Sequence, residues 1–237
     1  MNARTHSNAP LPNARHTALK YLAGLILYLI VMFAIREIWF ADLPFMANGL
    51  FWSFTTLILA SLLMRERGVS WPDLGLRRPD SIKKTLFLSL AIPLLAVAFI
   101  AAYNILKNML GLDLAPDTST SEAPAKFGEL KDNYLHLMMI LPIVWLQSAL
   151  EEILDRAFLI TWIERVFSST LFATILAVLL QAVIFGFRHS YDLSDRSITV
   201  ALIGLAMGIA YVAFGRNLWP LIFAHCLLNT MSMIERV

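Results

Sequence analysis

The run LMMILPIVWLQSALEEILDRAFLITWI, residues 137–163, decides how the chain is read. It is apolar on both sides of Ser148–Arg156, and within six residues it carries Glu151, Glu152, Asp155 and Arg156. A charge at the centre of a bilayer costs about 2.5–3.5 kcal/mol on insertion scales, so such residues face a bundle interior or a wet cavity and carry function. Glu152 and Arg156 are four apart, so on a helix they sit one above the other and can pair. Glu151 points about 100° away from that pair, and what it faces becomes the question for the whole chain.

The composition places this run in a membrane. Of 237 residues, 58% are hydrophobic and 15% charged, with mean hydropathy +0.67. Soluble domains are nearer 45–50% apolar and about 25% charged. Several runs reach the ~20 residues that a bilayer needs. The expected fold is therefore all-α, a polytopic transmembrane bundle of about seven membrane-spanning helices. Net charge is only +2 and the basic residues cluster in loops, so no nucleic-acid partner is expected. The single cysteine, Cys226, excludes an intrachain disulfide and a cysteine-built metal site.

Three parts follow along the chain. Residues 1–17 are polar and read as a disordered tail. Residues 18–133 hold segments at about 18–40, 44–64 and 85–107, with Pro93 a candidate kink. Between the second and third lies a basic loop, residues 65–84, where Trp71 and the two leucines flanking Gly75 suggest a place on the membrane surface. Residues 134–234 hold segments at about 134–165, 170–189, 197–214 and 220–234, and Gly204 and Gly208 in the sixth allow close helix approach. With the N-terminus inside, eleven Lys and Arg fall on the inner face and seven on the outer, so the positive-inside rule puts the N-terminus in the cytoplasm.

Two further polar faces lie within the apolar segments. Gln181, Phe185 and His189 recur at four-residue spacing, with Arg188 beside them; His225 and Asn229 are again four apart. Counted from a turn near Ser168, Glu151 and His189 both lie ~25–32 Å away at ~1.5 Å per residue, so a helical hairpin brings them to one depth. The depth of His225 and Asn229 matches less well, by ~10 Å. A carboxylate and an imidazole at one depth suit activation of a water. His225 and the Asn229 amide suit hydrogen bonding to a developing oxyanion. Taken singly, Glu152–Arg156 is also a structural pair, His189 an interfacial histidine and His225 a helix-to-helix hydrogen bonder. Glu and His are metal ligand types too, but there is no His-Glu-x-x-His helix, and a divalent cofactor is not favoured.

Glu151-Glu152-x-x-x-Arg156, Phe185-x-x-x-His189 and His225-x-x-x-Asn229, with IFGFRH and GRNLWPLIFAHCLLN around them, resemble the three motifs of the CPBP family. That family comprises the type II CAAX prenyl proteases and bacteriocin-processing or immunity-associated membrane proteins, also called Abi. The resemblance covers residues 134–232. It implies a four-helix protease core in a glutamate-dependent intramembrane endopeptidase, historically described as a metalloprotease, in a prokaryotic plasma membrane. Its substrate would be a membrane peptide or protein, with a prenylated CAAX-type tail among the candidates. Glu151 and His189 would activate water, His225 and Asn229 would form the oxyanion hole, and Glu152 and Arg156 would support the site; no cofactor is required.

The chain departs from the usual pattern at Asp155 and Ala157, where the family has an aromatic or aliphatic residue and glycine. Asp155 is four after Glu151 and adds a like charge beside the expected base. The expectation is that it pairs with a basic group on segment five, Arg188 or His189; otherwise it perturbs Glu151 or marks weakened catalysis. Two other functions compete with the peptidase. One is a non-catalytic immunity or scaffold protein of the same fold, and the other is a transporter with a Glu151–Arg156 proton relay.

Overall fold

The computed structural model describes residues 14–115 and 124–237. Seven helices carry the fold: α1 (Ala14–Ala34), α2 (Phe45–Arg65), α3 (Ile82–Leu110), α4 (Tyr134–Val166), α5 (Leu171–Ser190), α6 (Asp195–Ala213) and α7 (Trp219–Ile234). The tail expected over 1–17 lies outside the described residues up to 13, and α1 already begins at Ala14. Among the described residues six helices are long and apolar enough to cross a bilayer, and the chain is an integral membrane protein built as a helical bundle. The seventh has 16 residues. At ~1.5 Å per residue it reaches ~24 Å, short of the ~30 Å hydrocarbon core.

The helix ends follow from local chemistry. Ser81, Asn133 and Thr170 each accept a backbone N–H of the first turn, from Lys84, His136 and Ala173, replacing bonds that a helix start leaves unmade. Helix α3 runs through Pro93 without interruption. The core forms where α1 meets the end of α4. Tyr21 packs edge-on against Trp162 at 5.2 Å, Tyr28 lies 4.6 Å from Phe158, and Phe158 stacks on Trp162 at 4.4 Å. Helices α5 and α6 pack closely. A Cβ on Gly204 would stand 3.0 Å from the Phe185 ring, and one on Gly208 3.1 Å from Val178, so the glycine pair does set this contact.

The basic loop is less superficial than its composition suggests. Leu74 is buried, and the Trp71 indole N–H donates to Ser61 Oγ at 3.1 Å. The Tyr211 hydroxyl donates to Leu74 O at 2.8 Å, and Leu218 N donates to Gly75 O at 3.1 Å. Gly75 has φ +100°, and a Cβ there would fall 1.7 Å from Arg216 O, so only glycine fits. The loop therefore plugs the bundle beside the α6–α7 turn. Leu218 at that turn is fully buried, so α7 starts inside the protein.

Candidate active site

Helix α4 changes pitch at the charged stretch. From Glu152 to Ile160 its backbone follows the wide π form, with i→i+5 hydrogen bonds; such segments are rare and frequent at functional sites. The Asp155 side chain is taken up on the α5 side by Arg188 and does not line the space that Glu151 faces. Glu151 is the last α residue before the change. Its side chain keeps 24% exposure, whereas those of Glu152, Asp155 and Arg156 have none.

The exposed part of Glu151 faces a cavity of about 450 Å³, also lined by Ser148, His189, His225 and Asn229. The four side chains expected to act together, from α4, α5 and α7, thus border one space. His189 Nδ1 lies 2.7 Å from Phe185 O. A carbonyl only accepts, so Nδ1 carries the proton, and in the neutral ring Nε2 is left as an acceptor. His225 stands between the two glutamates, with Nδ1 2.7 Å from Glu152 Oε1 and Nε2 3.7 Å from Glu151 Oε2. Asn229 Nδ2 donates to Ser148 Oγ at 2.9 Å, and Ser148 Oγ in turn donates to Val144 O. One N–H of the amide is used in this way and the second is left for a ligand.

Glu152 and Arg156 lie behind this surface. Arg156 Nε is 3.3 Å from Glu152 Oε2, and its guanidinium covers the Phe185 ring at 4.1 Å. Phe185, 4.5 Å from the His189 ring, sits between the two histidines and the buried cation. Arg188 Nη2 donates to Asp155 Oδ2 at 2.7 Å, which meets the expectation that Asp155 pairs with a basic group on α5. Asp155 is turned away from the cavity, so its charge is met by Arg188 and, at 3.9 Å, by Arg156. Ala157 is fully buried.

Residues 133–231 match the family model described as type II CAAX prenyl endopeptidase Rce1-like. That segment is an Rce1-like domain. It contains every residue of the three motifs, and the family implies a peptidase of the CAAX type acting within the membrane. No curated protein and no solved structure gave a match. Among the described residues, no three His, Cys, Asp or Glu side chains converge as a metal-holding group. In the Rce1-like domain His225 Nδ1 is already engaged by Glu152, which leaves Glu151, His189 Nε2 and His225 Nε2 as the potential donors at the cavity.

Sequence reasoning missed part of the cavity wall that lies outside the domain. Arg36 and Trp52 line it from the ends of α1 and α2, and Lys126 from the single helical turn 124–127 before α4. Arg36 reads in the sequence as a snorkelling charge at the end of an apolar run. The three aromatic residues among positions 38–45, Trp39, Phe40 and Phe45, were the available sign that this end packs against something.

Proposed function

We propose that the protein is a glutamate-dependent intramembrane endopeptidase that hydrolyses a peptide bond of a membrane-associated substrate, with a prenylated CAAX-type tail among the candidates. The observation that carries the proposal is the convergence of Glu151, His189, His225 and Asn229 on one cavity inside an apolar bundle. Each group has an orientation suited to its part. Glu151 and the acceptor nitrogen of His189 hold a water and take its proton as the oxygen attacks the carbonyl carbon. The new C–O bond places negative charge on the carbonyl oxygen, where Asn229 and His225 Nε2 donate. Because Nδ1 of His225 serves the Glu152 carboxylate, Nε2 donates only when the ring carries both protons, and Glu152 balances that charge. The C–N bond then breaks as the proton passes to the leaving amine. General acid–base groups of this kind contribute about 10²–10⁴-fold and a single oxyanion donor about 10²–10³-fold. We place the enzyme in a prokaryotic plasma membrane with its N-terminus in the cytoplasm.

The test is a cleavage assay of purified protein on a library of membrane-tethered peptides, comparing wild type with Glu151→Ala and His189→Ala, with and without chelator. Cleavage by wild type that both substitutions abolish supports the proposal. Cleavage surviving both removes the mechanism, and loss on chelation alone assigns the chemistry to a metal.

A further inference from the structure

The end of α1 supplies a group that the hydrolysis does not use. Arg36 lies on a short 3₁₀ turn, Ile35–Glu37, that prolongs the helix. Its guanidinium is held against two aromatic faces, 5.3 Å from the Trp52 ring and 5.3 Å from the Tyr191 ring. One edge is fixed, with Nη1 donating to Arg188 O at 3.0 Å. Among the described residues no carboxylate pairs with Arg36, although Arg188, Arg156 and Arg216 each have one. Arg36 lines both the main cavity and the adjoining one at its mouth.

Among the described residues that line the main cavity Glu151 is the one carboxylate, and Arg36 has no carboxylate within ion-pair distance, whereas Arg188 is met by Asp155. Glu37 and Asp192 border the mouth, and Asp192 is occupied by Ser194 and Ser197. A guanidinium held beside two rings and anchored on a carbonyl is restrained in direction, and its planar fork suits a planar oxyanion through paired hydrogen bonds. Its anchor, the Arg188 carbonyl, belongs to the residue before His189. An anion on Arg36 therefore sits close to a peptide bond held at His189 and Glu151, within the reach of a few residues at ~3.3–3.6 Å each.

We propose that Arg36 is a specificity-determining residue that binds a carboxylate on the departing fragment of the substrate, its free C-terminus. The assignment to a peptide rests on the peptidase reading; the anion preference itself does not. The test uses the full chain carrying Glu151→Gln, in phosphatidylcholine nanodiscs. The probe is an N-myristoylated, dansyl-labelled pentapeptide of Ala, Val and Leu, as the free acid or as its C-terminal amide.

With Arg36 present, the acid binds about tenfold or more tightly than the amide. In Arg36→Gln that ratio collapses to about one, and Arg36→Lys restores part of it. A merely structural role would weaken both probes alike and leave the ratio unchanged. Equal binding of acid and amide by the Arg36 protein, or no binding of either, overturns the proposal. It is also overturned if phosphatidylglycerol in the nanodisc displaces both probes equally and does so only when Arg36 is present, because the occupant is then a lipid headgroup. Acid-selective binding without cleavage by wild type breaks the peptidase reading and leaves the Arg36 site standing.

Discussion

At the turn between α4 and α5, Glu164 is bound on every side. Arg216 donates to both its oxygens at 2.7 and 2.8 Å, and Thr174 Oγ1 donates at 2.6 Å. Beside it Arg216 also meets the Gly75 loop, and its guanidinium, hydrogen-bonded to Glu164, is held protonated more firmly than a free arginine. In the middle of the same helix, Glu151 faces about 450 Å³ of open cavity, and the His225 ring nitrogen Nε2 is 3.7 Å away. The two glutamates lie on one helix and differ in what the other elements bring to them. A carboxylate saturated by an arginine is a structural part. A carboxylate left facing a cavity, with histidines at its edge, is free to take a proton. The closed end holds the hairpin so that the open part can remain incompletely bonded.

That contrast can be broken at several points. The largest expected effect on stability comes from Asp155→Ala, which leaves Arg188 buried and unpaired. Breaking a buried pair costs about 3–5 kcal/mol, read as a fall in thermal unfolding temperature in detergent. The double variant Asp155→Ala, Arg188→Met should recover much of the loss, and no recovery would show that the pair is not the cause. Asn229→Ala should lower kcat about 10²–10³-fold with an unfolding temperature close to wild type, which places the effect at the open site. Gly75→Ala forces a Cβ into Arg216 O and a side chain into positive φ. A loss of about 1–3 kcal/mol is expected from such backbone strain, seen by thermal unfolding. Glu164→Gln, smaller still because Arg216 is one-third exposed, should cost about 1 kcal/mol and leave cleavage kinetics unchanged. A large kinetic effect there would erase the distinction between the two ends.

The periodic part of this arrangement was legible in the sequence. Four-residue spacings put His189 on the face of Phe185 and Asn229 on the face of His225, and similar residue counts from the turn predicted that Glu151 and His189 come together, as they do at one cavity. The Asp155 pairing followed from charge alone, because a buried carboxylate needs a cation and Arg188 was within reach. What was hidden depended on departures from regular geometry. The wide turn after Glu151 has no signature in the residues. The sunken start of α7 depends on how the Gly75 loop and the Arg216 turn fit each other, a contact between positions about 140 apart. Arg36 lies outside the matched segment, and only the folded chain brings it beside His189.

The most direct measurement is the cleavage rate of wild type against Glu151→Gln on a membrane-tethered peptide, with the unfolding temperature of both recorded in the same detergent. A fall of about 10²–10⁴-fold with an unchanged unfolding temperature is the predicted result. Cleavage by Glu151→Gln at the wild-type rate would contradict the assignment of Glu151 as the group that activates water.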